Sequence, residues 1–501
     1  MMKSNNSQLS RWQLASYSAP AMPLSLVGLP LVAYVPAIYA DPDGFGLSLG
    51  LVGLMITLSR FTDVITDPLI GFFSDKIRTR WGRRKPFIVA GTPIYALGVW
   101  LLFVPPVTFS EVTWLGHSFN YGYAYLFATV ALVYLGSTIK DLPYYAWGAE
   151  LSDSYHERTR ITSWREGFSV AGSLVAAFTP AVILFFGFTK PVDAVWFLSI
   201  IMSIIMPIVI LNAVMVVPEY EVKETAKKVP FKQSMKIVLA NKPYMQLITI
   251  FTLSSLGSAM TASLAFFFVK HLLFSADLFG LYIAPYYLST VIGIPIWLWL
   301  SSRLGKAKTV MVAVCWFTLF ACLVPIVAIT PQHWYDAFEI PRVLSFLPDS
   351  AHQIVVDRFD GVETGKFLFF IILMCGKGSA IGAFSAIPAS MAADVVDVDT
   401  AQTGLKRAGA YFSIWSMIRK LAYALGITIA TTIVTVAGFD SLADPLDTTN
   451  TWFSLMVLTC VYSIVPAMFM LITIPLLWNY DLTEERVAEL QAEAETKIVA
   501  A

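Results

Sequence analysis

Twelve apolar stretches dominate this 501-residue chain, at approximately 14–40, 47–73, 87–104, 120–147, 165–188, 194–217, 244–269, 279–300, 309–329, 367–390, 411–437 and 451–477. Each runs to about 20 residues or more, enough for a helix to cross the hydrocarbon of a bilayer. A segment in lipid must satisfy its own backbone hydrogen bonds, so runs of this length become helices. Composition agrees, with 57% of residues hydrophobic and 14% charged, against about 25% charged in a soluble domain. The expectation is an all-α membrane protein with twelve transmembrane helices. The first stretch is too long for a cleavable signal and reads as a retained span.

The 34 basic and 34 acidic residues cancel, which argues against a nucleic-acid partner. Their placement is nevertheless lopsided. One side, made of the N-terminus, the loops after even-numbered stretches and the tail, carries 24 Lys and Arg, whereas the other carries five. The positive-inside rule then puts both termini in the cytoplasm, in a multi-pass protein of the inner membrane. The longest hydrophilic piece on that side divides the stretches six and six. It gives a first half at 1–217, a cytoplasmic linker at 218–243, a second half at 244–480 and a cytoplasmic tail at 481–501 whose acidic run suits a solvated helix. The halves resemble each other. Glu150-x-x-Asp153, Thr159 and Phe168-Ser169 recur 244 residues later as Asp394-x-x-Asp397, Thr403 and Phe412-Ser413. Two six-helix halves in parallel repeat are the arrangement of the major facilitator fold, with a site near mid-membrane. Cys315, Cys322, Cys375 and Cys460 lack ligand-type spacing and read as small packing residues. The five histidines read as loop residues, and no role is legible for the loop at 330–366.

Charges inside the apolar stretches are the functional signal. Arg60, Asp63 and Asp67 fall at i, i+3 and i+7 and share one helix face. Charges at membrane depth are costly and mark an ion or substrate path, so the chain reads as a transporter. A basic run follows, Asp75-Lys-Ile-Arg-Thr-Arg-Trp-Gly-Arg-Arg-Lys85. No P-loop is present, and no nucleophile–base pair or metal set supports an enzyme.

Four sets of residues carry a family resemblance. They are Gly46 to Gly53 followed by Arg60-x-x-Asp63-x-x-x-Asp67-Pro68; Gly71-x-x-x-Asp75 with Trp81-Gly-Arg-Arg-Lys-Pro86; Asp141-x-Pro143 with Glu157-Arg158 and Arg165; and Ala393-Asp-Val-Val-Asp397 with Lys420. Spread from end to end, they resemble the glycoside-pentoside-hexuronide:cation symporters, the melibiose permease group of the major facilitator superfamily. Two departures argue against a galactoside. The first span has no charged residue where melibiose permeases place an aspartate, the aligned region being near Ser25, and Tyr145 stands where they have a sugar-stacking tryptophan.

The residues and the resemblance together imply roles. Asp63, Asp67 and the Thr66 hydroxyl offer hard oxygens to a small cation, with Thr138 and Asp141 one turn apart on the fourth helix to complete the set. Close carboxylates repel when empty, and Na+ or a proton relieves that repulsion. Lys420 is expected to substitute for the ion. By resemblance Asp63, Asp67 and Thr138 bind it, and no cofactor besides the coupling ion is expected. Asp141, Tyr145, Trp147 and Arg165 would handle a small polar solute: a sugar, glycoside or sugar acid. Lys140 or Lys377, with Arg165, would favour an anionic one, the alternative for each lysine being a salt bridge or snorkelling. Arg60, Asp75, Arg83, Arg84, Glu150, Asp153, Asp394 and Asp397 look like gating charges. A static salt-bridge network is the plainer alternative for the acidic face. A monomer in the lipid bilayer is expected, and the rival functions are carriage of an amphipathic lysolipid and non-transporting nutrient sensing.

Overall fold

Proline shapes the first apolar stretch. It folds as α1 (Arg11–Ser18), α2 (Ala21–Ala33) and α3 (Val35–Tyr39) rather than as one rod. Pro20 precedes the second piece and Pro36 stands in the first turn of the third, places where no amide hydrogen is needed. A reciprocal cap opens α1, with the Gln13 amide donating to Ser10 Oγ at 3.2 Å and the Ser10 amide to Gln13 Oε1 at 3.0 Å.

In this computed structural model the residues described are 9–41, 45–105, 111–114, 117–152, 155–184, 186–188, 190–219, 238–343, 345, 352–353, 364–403, 408–445, 448–480, 482, 486 and 489–490. The chain divides into two units, Met1–Ala226 with Asp440–Ala443, and Lys227–Phe439 with Asp444–Ala501. The first unit continues with α4 (Leu49–Lys76), α5 (Lys85–Phe103), α6 (Tyr121–Glu150), α7 (Tyr155–Leu184) and α8 (Pro191–Val216). A small antiparallel hairpin of β1 (Glu111–Trp114) and β2 (His117–Asn120) joins α5 to α6. The second unit holds α9 (Lys242–Leu272), α10 (Phe279–Leu304), α11 (Lys306–Ile329), α12 (Gly365–Thr403) and α13 (Ala408–Val436). Its last stretch is broken into α14 (Trp452–Tyr462), α15 (Ile464–Leu471) and α16 (Thr473–Trp478). Twelve spans among the described residues are long and apolar enough to cross a membrane. The twelve-helix expectation holds.

Packing repeats between the units. In the first, α4 packs on α6, α5 on α6 and α2 on α7; in the second, α10 packs on α12, α11 on α12 and α9 on α13. Counted by position, these are the same three pairings: second span with fourth, third with fourth, first with fifth. The resemblance between the neighbourhoods of Glu150 and Asp394 is therefore also a resemblance of architecture. Close approach in both units relies on glycine. A Cβ at Gly136 would lie 2.5 Å from the Tyr95 amide nitrogen, and one at Gly293 would lie 2.5 Å from the Ser379 carbonyl oxygen. Small residues of this kind let membrane helices touch backbone to backbone.

Several expectations change. Helix α12 runs on to Thr403 instead of stopping near 390, and carries Asp394 and Asp397 on its extension. His271 is not a loop residue; it lies in α9, buried, with its ring edge-on to Phe439 at 5.0 Å. The cysteines are free thiols, and Cys315, Cys322 and Cys460 are exposed rather than packed. Part of the 330–366 loop gains a role. Glu339 accepts from the amides of Thr364 at 2.8 Å and Gly365 at 2.9 Å, supplying an acid to the N-terminus of α12. Asp153, most of the tail and residues 220–237 of the linker lie outside the described residues, as do the side chains of Asp75 and Asp397.

Candidate functional site

The acidic face of α4 meets α6 inside the first unit. Asp63 is buried, with 5% of its surface exposed, and Arg60 Nη1 donates to its Oδ2 at 2.9 Å. The same guanidinium lies 3.6 Å from the centre of the Tyr134 ring on α6. One turn along α4, Asp67 Oδ1 accepts from Thr138 Oγ1 at 2.7 Å, which ties the two helices together across the face. Between the carboxylates, the Thr66 hydroxyl is buried and has no hydrogen-bond partner among the described residues. Two carboxylates and two hydroxyls thus gather on adjoining helices. No group of three or more His, Cys, Asp or Glu side chains among the described residues is placed to hold a metal. Mixed carboxylate and hydroxyl oxygens of this kind are hard donors, the type a small cation takes.

Asp141 stands one turn past Thr138 and is claimed by its own helix. Its Oδ2 accepts from Ser137 Oγ at 2.5 Å and its Oδ1 from Lys140 Nζ at 2.6 Å. Lys140 itself is fully buried, and its ammonium lies 4.1 Å from the centre of the Tyr95 ring on α5. Successive helix residues point about 100° apart, yet the long lysine stem brings the two charges together. Gly91 makes the room, because a Cβ there would sit 2.9 Å from Lys140 Cβ.

Of the residues expected to meet solute, Tyr145 and Arg165 pair up. Tyr145 is 48% exposed, and the Arg165 guanidinium covers its ring at 4.6 Å while bonding Glu166 at 2.7 Å. Trp147 is placed differently. It is 1% exposed, its indole N–H donates to the Pro218 carbonyl at 3.1 Å, and Tyr17 meets it edge-on. That is a packed pillar with no face left for a solute. Lys377 lies in the second unit on α12, fully enclosed, and Lys420 lies half-buried on α13.

Of the expected gating charges, Arg83, Arg84 and Glu150 form a tight group where the start of α5 meets the end of α6, whereas Arg60 pairs with Asp63 and Asp394 lies in the second unit. Arg83 and Arg84 each bond Glu150 at 2.7 Å, and Arg84 also donates to Ser74 at 3.0 Å. The second unit repeats the motif at the matching position, where Asp394 bonds Lys306 at 2.6 Å. Sequence reasoning assigned Glu219 to the linker and missed its role. Its carboxylate accepts from the amides of Arg83 at 2.5 Å and Arg84 at 2.8 Å. In return Lys85 Nζ reaches the carbonyls of Val214 at 2.8 Å and Val217 at 2.7 Å. Each residue caps the other's helix end, acid at the N-terminus of α5 and base at the C-terminus of α8.

Twelve spans in two six-helix units of matching packing, with ionisable groups gathered at membrane depth, define a multi-pass membrane transporter of the major facilitator class rather than an enzyme. Residues 16–484 match the family described as MFS/sugar transport protein. The chain belongs to that family, in keeping with the resemblance carried by its motifs. It is similar to the putative glycoside/cation symporter YagG of Escherichia coli (strain K12), 23% identical over 460 residues that cover 91% of this chain and 89% of the relative. It is also similar to the sodium-dependent lysophosphatidylcholine symporter 1-A of Danio rerio, 22% identical over 517 residues covering 95% and 87%. The crystal structure of the nucleoside transporter NupG superposes with a TM-score of 0.56 at 14% identity, over 93% of this chain and 99% of that one. At that identity the likeness concerns the fold.

Proposed function

We propose that this protein is a secondary symporter that couples inward movement of Na+ or H+ to uptake of a sugar, glycoside or sugar acid by alternating access, with both termini cytoplasmic. The observation that carries the reading is the Asp67–Thr138 bond beside Asp63, with the Thr66 hydroxyl lacking a hydrogen-bond partner among the described residues. A cation entering here takes oxygens from Asp63, Thr66, Asp67 and Thr138. In doing so it competes with Arg60 for Asp63 and loosens the α4–α6 tie. Tyr145 and Arg165 offer a half-exposed aromatic and guanidinium surface that suits a polyhydroxylated ring or its carboxylate. Lys420 is assigned the role of counter-charge when the ion has left. The gradient supplies the energy, and only the loaded or the empty carrier changes sides.

Uptake into proteoliposomes tests the reading, with radiolabelled methyl β-D-glucoside and D-glucuronate as probes. Accumulation of either under an imposed Na+ or proton gradient, abolished in Asp67→Asn, supports it. Accumulation that survives Asp67→Asn rejects the assigned ion site. The similarity to a lysophosphatidylcholine symporter favours a second reading, carriage of an amphipathic lysolipid. Uptake of a labelled lysolipid that neither sugar slows would establish it.

A further inference from the structure

Two lysines sit wholly inside the bundles, and they differ in one respect. Lys140 on α6 and Lys377 on α12 each belong to the fourth span of their half, and each is 0% exposed. Each also lays its nitrogen over an aromatic ring of the third span, Tyr95 at 4.1 Å for Lys140 and Phe317 at 4.9 Å for Lys377. Lys140 additionally meets the Asp141 carboxylate at 2.6 Å. Lys377 meets no carboxylate among the described residues. Its nitrogen reaches Thr261 Oγ1 of α9 at 3.3 Å, and the Tyr462 ring of α14 lies 5.0 Å away.

Among the described residues of its own unit, no acidic side chain is placed against Lys377. From α10 come Tyr282, whose hydroxyl lies 3.4 Å from that of Tyr462, and Tyr286, against whose carbonyl Gly378 packs. The titratable neighbour on its own helix is Cys375. The charges carried by the packed elements are Lys242 at the start of α9 and Lys270 and His271 at its end, Arg303 at the end of α10, Lys306 and Lys308 at the start of α11, and Arg419 and Lys420 on α13. All of these are basic. The acids lie far off along the helix axis. Glu339 sits at the N-terminus of α12, and Asp394 is 17 residues past Lys377, about 25 Å at the helical rise.

An ammonium buried at membrane depth needs a counter-ion, a bound anion or water to offset its lost hydration. Lys140 has one in Asp141 and reads as a fixed charge. Lys377 has a single long hydroxyl bond and two ring faces. A permanent charge there is poorly supported, whereas an amine that holds a proton in one conformation and yields it in another fits the enclosure. We infer that Lys377 is a proton-binding site of the transport cycle, linking one proton to the conformational state of the second half, in addition to the cation held at Asp63 and Asp67. The step balances simply: the amine lone pair takes a proton from hydronium, leaving water, and returns it to water when the site opens to the other side. This inference rests on the coupled-symport reading proposed above for its place in the cycle, but the proton site has its own test.

That test is a hydrogen-ion difference titration of the purified full-length protein in detergent, wild type against Lys377→Met and against Lys377→Gln, which keeps a donor for Thr261. The expected result is the loss of one titrating proton per molecule in both folded variants. Coincident curves overturn the proposal. In proteoliposomes, with the uncharged methyl β-D-glucoside as the probe, both variants are expected to lose stimulation of uptake by a proton gradient while counterflow of the same solute continues. A proton-gradient response that persists in the variants contradicts the proposal, and so does an equal fall of counterflow and response, which marks a structural lysine. If the wild type accumulates neither methyl β-D-glucoside nor D-glucuronate under any gradient, the sugar-symport reading fails instead, and the titration still decides Lys377.

Discussion

At the scale of single residues, Thr138 is the most exposed to test, because one hydroxyl ties α6 to Asp67 and is also the ligand oxygen that the proposed ion site requires. Thr138→Val keeps the shape and removes both functions. We predict a Na+ concentration for half-maximal uptake raised about tenfold, a loss of about 1.4 kcal/mol, while counterflow continues. Trp147 should behave in the opposite way. Trp147→Ala empties a buried site and should lower stability by about 3–5 kcal/mol, with the apparent solute affinity of the surviving protein unchanged; a thermal melt and an uptake saturation curve check the two halves of that statement. The acidic face was legible because Arg60, Asp63 and Asp67 follow helical spacing inside an apolar run. The burial of Trp147 was not, since an aromatic near a membrane boundary reads the same whether it packs inward or outward. Nor was the Lys140–Asp141 pair, which adjacent residues make only because a lysine stem is long enough to turn back.

At the scale of elements, the mutual capping of α5 and α8 by Glu219 and Lys85 predicts that either neutral variant loosens the start of the linker. Glu219→Gln should cost about 1.5–3 kcal/mol, the range for hydrogen bonds to a charged group, and should hasten protease cleavage within 220–237 ahead of global unfolding. Limited proteolysis of the purified variant reads this directly; cleavage at the wild-type rate contradicts it. Gly136→Leu at the α5–α6 contact should abolish folded protein, because its Cβ would lie 2.5 Å from a backbone nitrogen. Sequence placed every span, since hydropathy reports where lipid lies. It placed helix ends less well, and α12 shows the reason: polar residues from Asp394 to Thr403 end the apolar signal without ending the helix, there being no Gly or Pro to stop it. The Glu219 cap was hidden because its partners lie 135 and 136 residues away, beyond any local pattern.

At the scale of the whole molecule, the chain is a duplication whose two halves differ in the charges they enclose. Both halves share helix pairings and an acid–base lock at their matching ends, Glu150 with Arg83 and Arg84, Asp394 with Lys306. The first half adds a cluster of carboxylate and hydroxyl oxygens, the ion site proposed above, and the second adds an enclosed lysine. The basic residues gathered on one side predict that a fluorescent protein fused to the C-terminus glows and a phosphatase fused there stays inactive, each active only on its own side of the membrane. The central claim is that Asp63 and Asp67 bind a coupling ion whose presence strengthens solute binding. The most direct test is the melting temperature of the purified protein with sugars, sugar acids and lysolipids, with and without Na+, at two pH values, beside Asp67→Asn. A ligand that binds the folded state raises the melting temperature. The account predicts a solute whose stabilisation grows with Na+ or with acid and vanishes in the variant. Stabilisation indifferent to Na+, to pH and to the substitution would mean that the carboxylates only hold the bundle together.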